Sequence, residues 1–77
     1  MPSPTEALAV ALRDVVRAEM ASAHAIPEDQ CRQFDAAPQL SIGWREDIAR
    51  SRQARADAET ALERLALALE SVWALRD

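Results

Sequence analysis

From residue 44 to residue 76 the chain has neither proline nor glycine, and most of its residues are strong helix formers. This run of 33 residues predicts a single helix about 50 Å long. Steps of four and three from its start give an a/d seam: Trp44, Ile48, Ser51, Arg55, Ala58, Leu62, Leu65, Leu69, Val72 and Arg76. The seam is polar at Ser51 and Arg55 and mostly apolar from Ala58 onward. Ala61, Ala66, Leu67, Ala68, Trp73, Ala74 and Leu75 fall outside it. Between Ala61 and Leu75 only Glu63, Arg64, Glu70 and Ser71 are polar, and they share one narrow stripe. A helix that is apolar over most of its circumference must be covered from more than one side.

What covers it is constrained by size. A chain of 77 residues is one domain with a marginal core, and such domains commonly add disulfides, metals or oligomerisation. Cys31 is the only cysteine, so no disulfide forms within one chain, and His24 is the only histidine, so no zinc cluster is spelled out. No phosphate-binding or cofactor motif is present, and no cofactor is expected. Self-association is the remaining staple, and the expected fold is all-α: a helical hairpin dimerising into a bundle.

Composition agrees with helices. Ala, Leu, Glu and Arg dominate, while Lys and Tyr are absent and β-branched residues are few. The net charge of −4 argues against nucleic acid or an anionic membrane as the main partner. The N-terminus lacks a basic segment followed by an apolar run, and no apolar stretch reaches the ~18 residues of a membrane span. The single cysteine fits a reducing compartment, so the expected location is cytoplasmic.

Three helices are expected, at about 4–23, 27–37 and 43–76. Ser3 can cap the first, with Pro4 at its first position and Glu6 where a capping-box acid stands. Its buried face reads as Leu8, Leu12, Val15, Val16 and Met20. Ala7, Ala9, Ala11 and Ala18 leave room for close helix approach. Ile26-Pro27 breaks the chain, and Glu28 and Asp29 open a short second helix that brings Cys31 and Phe34 to one face. In the connector 38–43, Leu40 and Ile42 are expected to pin the chain to the core and Ser41 to cap the long helix. Gly43 should relieve the turn or allow a close backbone approach. The first helix, at about 30 Å, is too short to cover the long one. Packed directly from the neighbouring end, it leaves the apolar stretch 62–75 bare. Shifted along by the second helix, it leaves the arginine-rich stretch 45–55 bare.

The candidate chemistries are few. Arg45, Arg50, Arg52 and Arg55 could contact DNA, but Glu46, Asp47 and Asp57 dilute their charge and they point around the helix. An i,i+4 pair of Glu46 with Arg50 is the plainer reading. Cys31 and His24, with no third orienting group, do not make a catalytic pair, and Cys31 reads as a small buried hydrophobe. Asp57, Glu59, Glu63 and Glu70 lack the histidines of a carboxylate metal bundle. Trp44 reads as core. Trp73, near the chain end, reads equally well as an interface anchor. The interface expected from coverage is Leu62, Leu65, Leu69, Val72, Trp73 and Leu75, contacted by a second copy and by another protein. The expected function is a non-enzymatic protein-interaction module: an adaptor, assembly factor or inhibitor, including the kind that phages and mobile elements encode. A DNA-binding regulator using the 45–55 segment is the alternative, and a small-ligand-binding bundle is a weaker one.

Overall fold

The computed structural model describes residues 3–40 and 42–75. It contains helix α1 (Pro4–Ser22), helix α2 (Glu28–Ala36), a 3-10 turn (Pro38–Leu40) and helix α3 (Arg45–Ala74), with no strand among the described residues. The helices α1 and α3 pack against each other as an antiparallel hairpin, so the chain is an all-α helical hairpin.

Local chemistry sets the boundaries. The Ser3 side chain accepts a 3.2 Å hydrogen bond from the Glu6 N–H, and Pro4, which has no N–H to satisfy, opens α1. The helix closes at Ser22, where the Ser22 hydroxyl donates to the Glu19 carbonyl. Pro27 stands at the N-cap of α2, and Glu28 and Asp29 fill the first turn, where the helix dipole favours acids. Helix α3 starts after Trp44 without a side-chain cap. The cap expected from Ser41 lies outside the described residues, as do the Leu40 side chain and Arg76 at the end of the expected seam.

The contact between α1 and α3 is made of small residues. Buried or half-buried along α1 are Leu8, Ala11, Val15, Ala18, Ser22 and Ala25. Facing them along α3 are Ser51, Ala54, Ala58, Ala61, Leu65, Ala68 and Val72. Both sets step alternately by three and four, as an antiparallel coiled-coil pair requires. The expected buried face of α1 is corrected here. Leu8 and Val15 take part, but Leu12 (49% exposed), Val16 (56%) and Met20 point outward. The seam of α3 is corrected too: it contains Ser51, Ala58, Leu65 and Val72 as expected, but Ala54, Ala61 and Ala68 replace Arg55, Leu62 and Leu69. Alanine wins these places because it lets two helix backbones approach closely, which larger side chains prevent.

The register answers the coverage question. The Ile26 N–H donates to the Ser51 hydroxyl at 2.8 Å. At the far end Ala7 and Ala11 lie beside Arg64 and Ala68. The loop containing α2 has shifted α1 toward the C-terminal part of α3, and α2 folds back over the Ile48, Arg52 and Arg55 side of the arginine-rich stretch, while Arg45 and Arg50 stay exposed. Ile42 is exposed and does not pin the connector. Trp44 is half-exposed, with one face of its indole stacked on Phe34 at 6.1 Å between ring centroids; it is a lid on the edge of the core and not part of it. Gly43 has no positive φ, and a Cβ placed on it would touch nothing, so neither expected reason for a glycine applies.

Candidate protein-interaction face

The pairing of α1 with α3 gives the hairpin two broad sides. Residues just before a seam position turn to one side: Asp14 and Ala21 on α1, Arg50, Asp57 and Arg64 on α3. With Arg17, Gln53 and Thr60 they edge one open groove floored by alanines, here called the back. Residues just after a seam position turn about 100° the other way. These are Leu12 on α1 and Arg55, Leu62 and Leu69 on α3, and they form the front.

The front is built differently along its length. Over the first part of α3 it carries α2. Cys31 of α2 is fully buried, at 0% exposure, with its thiol directed at the Ile26 carbonyl. Arg55 reaches the same carbonyl, donates to Glu28 at 2.7 Å and lies 3.6 Å from the Cys31 sulfur. Arg52 donates to Asp35 at 2.5 Å and to Glu28 at 3.4 Å. Ser51, buried in the seam, accepts from the last N–H before Pro27. The polar break that the sequence shows at Ser51 and Arg55 is therefore the socket for the loop and α2. It satisfies backbone groups that a proline-broken chain cannot pair internally. Partial burial acts to raise the Glu28 carboxyl. The hydrogen bonds and charges of Arg55 and Arg52 outweigh it and hold the group below its ordinary range.

Beyond Glu59 the front changes. Between Glu59 and Trp73 the residues presented or half-presented there are Leu62, Leu65, Ala66, Leu69 and Val72. Opposite them, between Thr5 and Glu19, stand Leu8, Ala9, Leu12, Val15 and Val16. Charges stand at the margins of these rows: Glu19 and Glu59 at their ends, and Glu70 beside Leu69 and Trp73. Leu62 is 47% exposed, Leu69 50% and Trp73 69%. Isolated exposed leucines are ordinary, but here the exposed apolar side chains form a row on each of two adjacent helices.

Of the six residues expected at an interface, Leu62, Leu69 and Trp73 lie on this face. Leu65 and Val72 form its half-buried floor in the seam, and Leu75 caps the end of α3, exposed. Leu67 turns to the back. The reading from sequence missed Leu12 and Val16, which it had spent on the core. Their adjacency to Ala11 and Val15 was the available signal. It also missed Glu28 and Asp35, which no local pattern ties to arginines so far along the chain.

The arginines considered for DNA are largely engaged within the chain. Arg52 and Arg55 hold α2, and Arg50 pairs with Asp47 at 2.5 Å in place of the expected Glu46. Only Arg45 of the four has no acidic partner among the described residues. His24 is exposed at the end of α1, while Cys31 lies sealed under α2. Among the described residues no cluster of His, Cys, Asp and Glu could hold a metal ion, and no helix is long and apolar enough to cross a membrane. In comparisons with known proteins, no family model, no curated protein and no solved structure matches the chain.

Proposed function

We propose that this chain is a non-enzymatic protein-interaction module that works by docking the apolar stretch of its front face, in the manner of an adaptor, assembly factor or inhibitor. The observation that carries this reading is the bare stretch of the front beyond Glu59, where Leu12, Val16, Leu62, Leu69 and Trp73 stand exposed together. The chain has little to spend on exposure. Its buried residues are Ala11, Cys31, Ile48, Ser51, Ala58 and Ala61, and burying an alanine gains far less than burying a leucine. A solvent-accessible surface of 6015 Å² for 8.5 kDa exceeds the ~4,650 Å² of a compact monomer of that mass. Several of the large apolar side chains, Leu12, Val16, Leu62 and Leu69 among them, stand outside the hairpin seam, and a protein surface is what they fit.

A photo-reactive amino acid at position 66 tests the reading. In an extract of the native source it should form a covalent adduct with a protein, another copy included, and Leu69→Glu in the same chain should abolish the adduct. A folded probe that crosslinks to no protein removes the proposal.

A further inference from the structure

We infer that the occupant of the front face is a second copy of this chain, reversed end for end, with α2 of each copy standing beyond the open tip of the other. The inference rests on the interaction reading above and names its partner. Its first support is the position of α2. Ile48, Arg52 and Arg55 hold it on the front of α3, at the level a second helical layer would occupy. The bare face is a direct continuation of that interface toward the C-terminus of α3. A second hairpin laid on the front in the same direction would drive the end of its α1 into α2. A reversed hairpin slides clear.

The second support is symmetry. Turned about a two-fold axis across the hairpin, α3 meets α3 and α1 meets α1, both antiparallel. An axis level with Ala66 places Leu62 against the partner's Leu69. The α1–α3 register, with Ala7 and Ala11 beside Arg64 and Ala68, puts that axis near Ala9 and Val10, so that Leu8 faces the level of the partner copy's Leu12. The axis thus passes through both apolar rows, as an isologous contact needs. A charge close to a two-fold axis would meet its own copy, and the front residues nearest the axis, Leu62, Ala66 and Leu69, carry none.

The third support is area. The stretch from Ala58 to Leu75 is about 26 Å long, and the hairpin is 18 Å across. Two such faces in contact bury on the order of 1,000 Å², the threshold of a specific interface. Four stacked helices would then enclose Leu62, Leu65, Leu69, Leu12 and Val16 in a bundle core.

Two measurements on the full chain test this. Light scattering at low micromolar concentration should give twice the 8.5 kDa chain mass, and Leu69→Glu, with unchanged helix content by circular dichroism, should return it to one chain mass. The Ala66→Cys variant should close a disulfide between copies under mild oxidation, and Trp73→Cys should not, because position 73 lies on the order of 20 Å along the axis from its own symmetry mate. A monomer at this concentration overturns the inference. A dimer in which Trp73→Cys crosslinks efficiently and Ala66→Cys does not overturns the reversed arrangement. If the chain is monomeric while the probe at position 66 still captures another protein, the interaction reading stands and the self-pairing fails. If both are negative, both fail.

Discussion

Near its N-terminus the front of α3 meets α2, and near its C-terminus the same side lies open with Leu62 and Leu69 about half exposed. The covered end is rich in polar contacts: Arg52 and Arg55 reach Glu28, Asp35 and a loop carbonyl, with Cys31 and Ile48 buried beside them. The open end presents mostly apolar side chains, with Glu70 at its margin. This is the reverse of what burial alone would produce, since a chain folding only for itself would place its leucines under α2 and its arginines in water. The covered end recovers backbone groups around the Ile26-Pro27 break, a task for polar side chains. The open end offers surface that gains only on contact. We read the polar end as the part built for the fold and the apolar end as the part built for association.

The largest expected effect comes from charging the open end. Leu62→Glu with Leu69→Glu should weaken association by more than about 100-fold, since each buried leucine is worth ~1.5–3 kcal/mol. Helix content should change little because both side chains are already half in water. Sedimentation velocity with circular dichroism checks this, and loss of helix in proportion to loss of association would break the comparison by showing that the open end also holds the fold.

At the covered end, Ser51→Ala leaves the partly buried Ile26 N–H without its acceptor, which should cost about 1 kcal/mol in chemical unfolding. Under conditions where the chain is folded, association should stay within a few fold of the parent. Ser3→Ala at the start of α1 should cost ~1 kcal/mol, and amide exchange should speed up around Ala7, beneath the open end. Unchanged exchange there would show that the cap is idle.

The smallest effect is a pH dependence confined to the covered end. The folded-state carboxyl of Glu28 lies below its unfolded value. Its contribution is therefore full above the unfolded value near 4.5 and is lost as pH falls through the lower folded value. Trp44 on Phe34 reports on this region. In a Trp73→Phe background, Trp44 fluorescence should show an acid step that Glu28→Gln removes. A step that survives Glu28→Gln would belong to another carboxylate, Asp35 first.

Some of this was legible from residues alone, and the physics says which part. Helix boundaries follow from local chemistry: Ser3 and Pro4 open α1, Pro27 and Pro38 bracket α2, and the run without proline or glycine makes α3. Such signals involve residues a few positions apart, and the sequence contains both partners. Periodicity likewise showed that α3 has more apolar surface than one helix can cover. Which stripe of that surface the chain would bury could not be read in the same way. Alanine carries little hydrophobic signal, so Ala54, Ala61 and Ala68 looked weaker than Leu62 and Leu69. Close packing of two backbones, which only the assembled pair evaluates, gave the alanines the seam and sent the leucines out. The socket at Arg52 and Arg55 was hidden for a related reason. Glu28 and Asp35 lie 17 to 27 positions away in sequence. Only the fold-back of α2, set by the register of α1 on α3, turns those arginines from a basic stretch into the clasp of a loop.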